Sequence, residues 1–280
     1  MSFVPKSVCL LALLFASAVT WADQWIQLDY PGAVSTFGSA VSGVGDVVGD
    51  YFANGVDHGF LWHDGSFSNI DVPGANDTIP EGINVSGAIC GYYDDQNGTH
   101  GFLLEGSSVT TLNFPGATTT YSTGINDSGD VVGIFVDANF ANHAYKWNSN
   151  TGYEQIPLSG TQTQIYGISN PGFIFGTLYD AHQSFHRFLI NPQGFIRYFD
   201  MQFGTLTLYG GPNDHNTVVG EIKRQHGADA IRWNLTTGAS GTIRIPSSNS
   251  THGVGINNAG QVAGYYVDQQ GKNHGFLWTP

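Results

Sequence analysis

The sequence has little cysteine, little basic charge and no long apolar run, and each shortage closes off a class of protein. Two cysteines occur in 280 residues. Cys9 falls in a leader expected to be removed, which leaves Cys90 alone and excludes an internal disulfide framework. Cys90 shares its place in a repeat with Val48, Val132, Phe175, Val219 and Ala263, so it reads as a small buried hydrophobe. Charged residues make up 11% of the chain, and 9 Lys and Arg stand against 22 Asp and Glu. From Asp23 onward, 8 basic residues face all 22 acidic ones, a formal charge of −14. Such a surface repels nucleic acid and anionic lipid, so neither is an expected partner. The main apolar run, Val8 to Val19, is about half of what a membrane-spanning helix needs, so no membrane span is expected. With Lys6 before it and Thr20-Trp21-Ala22 after it, the run instead reads as a secretory signal peptide over residues 1–22. No stretch holds a helical period. There is no P-loop, no G-x-S-x-G elbow and no H-E-x-x-H pair.

What the chain has in quantity is glycine, 38 residues, and aromatic side chains, 13%. The aromatic content argues against disorder. The glycines fall in columns. Threonines start six copies at Thr36, Thr78, Thr120, Thr163, Thr207 and Thr251. Four residues on stand Ala40, Gly82, Gly124, Gly167, Gly211 and Gly255. A second glycine column runs through Gly49, Gly91, Gly133, Gly176, Gly220 and Gly264, and a third column holds His58, His100, His143, His186, Asp229 and His274. Self-similarity at about 40–50 residues marks propeller blades, solenoids or arrays. Within a copy, short β-branched runs alternate with Asn-, Asp- and Gly-rich turns, giving four strands per copy.

The last copy stops at Pro280 without a fourth strand. The missing piece is Gln27-Leu28-Asp29-Tyr30-Pro31-Gly32-Ala33, which matches Asn69 to Ala75 and Thr111 to Ala117. Complementary ends are what a ring needs, because closure removes open edge strands. The expected fold is therefore all-β: a six-bladed β-propeller of four-stranded blades over residues 23–280, with an N-terminal strand completing the last blade.

The run Gly124 to Gly133, G-I-N-x-x-G-x-V-x-G, and His274 to Trp278, H-G-F-L-W, resemble the HAF repeat, described as an extracellular repeat of bacteria. The resemblance covers the chain from residue 23 onward. Copies four and five drift, with His186-Arg187-Phe188 and Asp229-Ala230-Ile231 in place of the usual triplet. It implies export and tandem repetition. It implies no established reaction, so it transfers no catalytic residue.

Residues repeated in every blade build the disc, so a ligand site must use residues present once. The variable positions after each repeat threonine include Glu81, Tyr121, Tyr166, Tyr209 and His252. In a ring closed in this way they enter the innermost strand at one channel mouth, the face that also carries the Asp-containing loops. A Glu, three Tyr and a His around an axis suit a carbohydrate or another polar ligand. The histidine column reads as structural, the loop aspartates as Asx turns, and the tryptophans Trp62, Trp147, Trp233 and Trp278 as inter-blade core. No catalytic residue, metal site or cofactor is expected. Two functions follow: an exported binding or scaffold module for a carbohydrate or another surface protein, and a polysaccharide-active lyase or hydrolase working at the channel mouth. Blades four and five carry six basic residues between Arg187 and Arg244, a sector that would suit an acidic partner.

Overall fold

A computed structural model of the protein describes residues 24–160, 162–199 and 206–280. The expected leader, residues 1–22, lies outside them. Six antiparallel four-stranded sheets form a closed propeller. The first blade holds β2 (Ser35–Val41), β3 (Val47–Ala53), β4 (Val56–His63) and β5 (Ser66–Ile70). The second holds β6 (Asp77–Ile83), β7 (Ile89–Asp95), β8 (Gly98–Glu105) and β9 (Ser108–Leu112); the third holds β10 (Thr119–Ile125), β11 (Val131–Val136), β12 (Asn142–Asn148) and β13 (Gly152–Ile156). The fourth holds β14 (Gln164–Ile168), β15 (Ile174–Tyr179), β16 (Phe185–Ile190) and β17 (Ile196–Phe199); the fifth holds β18 (Leu206–Gly210), β19 (Thr217–Lys223), β20 (Ala228–Asn234) and β21 (Ser240–Ile243). The sixth joins the ends of the chain: β22 (Ser250–Ile256), β23 (Val262–Val267) and β24 (Asn273–Thr279) receive β1 (Gln24–Leu28) as their outer strand. Gln24 pairs with Thr279 and Leu28 with Gly275, so the closure read from the matching termini is the one found. No helix among the described residues is long and apolar enough to cross a membrane.

The repeat threonine has a definite job. The sequence Tyr30-Pro31-Gly32-Ala33 makes a tight turn from Tyr30 O to Ala33 N, with Gly32 at φ +83°. Pro fixes φ at the second position, and glycine takes the positive φ at the third. The Tyr30 N–H then donates to Thr36 Oγ1 at 3.0 Å. Val72 donates in the same way to Thr78 and Phe114 to Thr120, with Ile245 and Thr251 completing the set. Each hydroxyl thus ties the outer strand of one blade to the inner strand of the next. Thr36, Thr78, Thr120, Thr163 and Thr251 are all buried.

The fifth copy departs from the sequence alignment. Leu206 pairs with Ile222 and is buried where the other blades bury threonine, while Thr207 pairs with Glu221 and is exposed. The inner strand carries one extra residue at Gly211-Pro212, and Pro212 has no N–H to continue the ladder. Thr207 is therefore displaced by one place from the column assigned to it.

The glycine columns pack blades at the axis. A Cβ placed on Gly124 would sit 2.7 Å from the Cα of Gly167, and one on Gly255 would sit 2.7 Å from the Cα of Ala40. Every inner strand also bulges at the same place; register slips between Gly38 and Ala40, Pro80 and Gly82, and at the equivalent points around the ring. The extra residues are Ser39, Glu81, Thr123, Tyr166, Tyr209 and Val254. A bulge re-aims a side chain, and here that happens beside the channel.

The histidines are braces. His274 Nδ1 lies 2.8 Å from Asp29 of β1's end, and its Nε2 lies 3.2 Å from Asp268 of the loop before it. His100 spans Asn113 and Asp95 in the same way. His58, His143 and His186 meet the aspartates Asp71, Asp137 and Asp180 in turn. The loop carboxylates are held low, first by backbone N–H donors, as Ala141 gives to Asp137 and Lys272 to Asp268. Asx turns account for them. Replacing one of these histidines by Ala should cost about 1–3 kcal/mol by leaving a partner unpaired. His274, at 9% exposure, should fall at the upper end. Thermal melts of the five variants check this, and a chelator should leave the wild-type melt unchanged.

Candidate functional site at the channel mouth

The channel narrows to a cavity of about 90 Å³ lined by the bulge residues Ser39, Glu81, Thr123, Tyr166 and Val254. Glu81 and Tyr166 therefore reach the axis. Tyr121 and His252 stand two residues before the bulge of their strands, paired with Ile134 and Tyr265. The five residues picked from sequence fall into two clusters and one separate residue.

The first cluster joins Tyr209 and His252 across the fifth and sixth blades. Glu221, on β19, places Oε2 2.6 Å from His252 Nδ1. The Tyr209 hydroxyl lies 3.3 Å from that nitrogen and 3.5 Å from Glu221 Oε2. Tyr265 stacks flat on the imidazole, with centroids 4.5 Å apart, and meets Phe37 edge-on. Burial pushes the Tyr209 hydroxyl up, and the Glu221 charge adds to the shift. With Nδ1 taken by a carboxylate, His252 Nε2 has no protein partner among the described residues.

The second cluster forms around Glu81. Burial raises its carboxyl to about 8, and the neighbouring Asp50 charge contributes. Burial likewise raises Asp50 to about 7, with repulsion from Asp57 second. Both carboxyls are crowded by protein on most sides without being fully buried, and Glu81 lines the channel cavity. Tyr92 lies against them; burial and then the Glu81 charge raise its hydroxyl. Tyr121 packs edge-on against Tyr92 with centroids 5.0 Å apart. Tyr166 stands apart. Its hydroxyl lies 3.2 Å from Thr177 Oγ1, and its ring leans on Phe175 between the fourth and fifth blades.

Sequence reasoning missed Asp50, Tyr92, Glu221 and Tyr265. All four follow a glycine of the second column, and that position also varies around the ring: Asp50, Tyr92, Ile134, Thr177, Glu221, Tyr265. The same test of variability, applied to the second strand, would have found them. Among the described residues no group of three or more His, Cys, Asp or Glu converges as a metal site. The basic sector is largely occupied by internal contacts. Arg224 pairs with Asp229 at 2.8 Å, Arg187 donates to Leu206 O, and Arg197 and Arg232 lie over the rings of Phe199 and Trp278.

No protein-family model and no curated protein matches the chain. Solved structures share its fold. SapL1 lectin, solved with alpha methyl fucoside, aligns with a TM-score of 0.54 at 12% identity, over 88% of this chain and 94% of that one. A catalytically inactive form of virginiamycin B lyase from Staphylococcus aureus, solved with quinupristin, aligns at 0.50 and 12% identity, over 92% and 100%. TolB from Acinetobacter baumannii aligns at 0.52 and 10% identity over 92% of this chain, which spans only 55% of that structure. At these identities the likeness is one of fold: the chain is a six-bladed propeller, similar to proteins that put that architecture to different uses.

Proposed function

We propose that this protein is an exported binding module that holds a polyhydroxylated ligand, a carbohydrate, at the channel mouth. The observation that carries the reading is the hydrogen-bonded cluster of Tyr209, Glu221 and His252, built from residues the repeat does not need. Tyr265 backs that cluster by stacking on the imidazole, and elsewhere on the ring the raised carboxyls of Asp50 and Glu81 supply acceptors and acids that still donate near neutral pH, groups that suit sugar hydroxyls. SapL1 is a lectin on the same architecture, which makes the reading reasonable by analogy of fold. The HAF resemblance and the signal peptide read from the sequence of residues 1–22 support export. Screening the protein, without its leader, against a glycan array tests the proposal. Retained glycans should be lost, by at least tenfold in affinity, in His252→Ala and Tyr209→Phe, since a buried polar contact left unmade costs about 1–3 kcal/mol. An array with no retained glycan, or variants that bind as wild type does, would sink it.

A second reading has its own observation. A histidine whose Nδ1 is fixed 2.6 Å from a carboxylate presents Nε2 as a general base, and the protonated Glu81 is an acid on the same channel. That pairing suits a polysaccharide-active lyase or hydrolase. Release of shortened or unsaturated sugars from a glycan that binds, abolished by Glu221→Gln, would move the protein from binding module to enzyme.

A further inference from the structure

A groove with a volume of about 600 Å³ lies between the third and fourth blades. Pseudo-symmetry shows why it is there. In each third strand the residue facing the preceding blade is Trp62, Leu104, Trp147, Ile190, Trp233 or Trp278. Its partner on the fourth strand is Phe67 for Trp62, Tyr153 for Trp147 and Trp25 for Trp278. The fifth blade pairs Trp233 with Ser240, the second pairs Leu104 with Val109, and the fourth pairs Ile190 with Ile196. In the fourth blade the two aliphatic side chains that stand in for an aromatic pair both line the groove.

The opposite wall is equally specific. The residue preceding the tryptophan column is Leu61, Leu103, Lys146, Leu189, Arg232 or Leu277. Only the third and fifth blades place a cation there. In the fifth, Arg232 lies over the indole of Trp278 from the next blade, 4.4 Å from the ring centroid. In the third, Lys146 faces the next blade's Ile190, so the cation is present and its ring is not. Lys146 instead makes a long contact with Glu154, at 3.6 Å between side chains that are 35% and 69% exposed. No aromatic residue lines the groove; its floor is Ile156, Ile174, Ile190 and Ile196 with Pro192. A sugar would find nothing to stack on, whereas a flat aromatic ring would find an apolar floor and a cation above its face.

We infer that the groove between the third and fourth blades binds a small aromatic molecule, its ring seated where the pseudo-symmetric blades seat their own tryptophan and covered by Lys146. The site is independent of the channel mouth. Calorimetric titration of the protein with indole and with N-acetyltryptophanamide tests the inference. Indole should bind saturably at one site. Ile190→Trp fills the groove from within and should weaken binding at least tenfold, with a melting temperature at or above wild type, because four of the other five blades already accommodate that ring. Lys146→Met keeps the stem and removes the charge, and should weaken binding severalfold. His252→Ala should leave it unchanged, which separates this site from the proposed carbohydrate site. Four results would each overturn the inference: no saturable indole binding by wild type, an Ile190→Trp variant that binds indole as well as wild type, an Ile190→Trp variant that melts several degrees lower, or binding of N-acetyltryptophanamide but not indole.

Discussion

Removing residues 23–33 is expected to abolish cooperative folding of the monomer. Only Leu28 of β1 is fully buried, and Trp25 and Ile26 are substantially exposed. The strand nevertheless carries the ring closure. Without it, β24 loses its five paired partners from Gln24 to Leu28 and becomes an open edge. The core beneath it is opened too, since Leu28 packs with Phe60, Ala263 and Leu277. The segment after β1 contributes as much. Tyr30 stacks on Tyr51 with centroids 3.6 Å apart, and Asp29 accepts from His274. Losing these contacts together is comparable with a whole domain's stability of about 5–15 kcal/mol. The exposed strand then becomes a template for pairing with other chains. Light scattering and thermal melts of the deletion variant give the answer. Leu28→Ala is the graded version and should cost about 2–5 kcal/mol, as a fully buried leucine does. A truncated protein that stays monomeric and melts at the wild-type temperature would show that the sixth blade does not depend on the strand.

Much of the architecture was legible because the repeat obliges each blade to solve the same packing problem. Thr78 recurs because its hydroxyl takes the N–H of Val72, and Gly124 recurs because Gly167 leaves no room for a Cβ. The terminal match of Gln27 to Ala33 with Asn69 to Ala75 made the closure readable for the same reason. Misreading began where a blade solves the problem differently. Thr207 satisfied the sequence spacing, yet the insertion at Gly211-Pro212 puts Leu206 into the buried place. The site was half legible. Tyr209 and His252 stood out as unrepeated, but the carboxylate that orders them, Glu221, comes from the neighbouring strand of the fifth blade, and sequence spacing carries no record of a contact between blades. Asp50 is the same case. It pairs with Phe37 within its own blade and acts on Glu81 from the next.

That Asp50–Glu81 pair leads to the second large effect, a stability that falls as pH rises. Both carboxyls have folded values above their unfolded ones, from 3.8 to about 7 for Asp50 and from 4.5 to about 8 for Glu81. For a raised acid the folded state holds the proton more tightly than the unfolded chain does. Its contribution is fully present below the unfolded value and is lost as pH climbs through the folded one. The loss here should run from about pH 4 to pH 8. Each tenfold change in an acid's dissociation constant corresponds to about 1.4 kcal/mol, but both groups keep some exposure and share a single repulsion. We therefore expect a combined effect of about 2 kcal/mol at pH 8, after allowing for solvent screening. The double variant Asp50→Asn with Glu81→Gln keeps the shape and removes the charge. It should match wild type at pH 4 and be more stable at pH 8. Because the difference is taken between variants, the overall negative charge cancels. The same protons bear on recognition: a protonated Glu81 donates a hydrogen bond to a ligand hydroxyl, so glycan affinity should fall between about pH 6 and pH 9 in wild type and stay level in the variant. Urea melts at the two pH values decide the stability claim, and equal stability of variant and wild type at pH 8 would mean that the channel leaves both carboxylates as well solvated as water does.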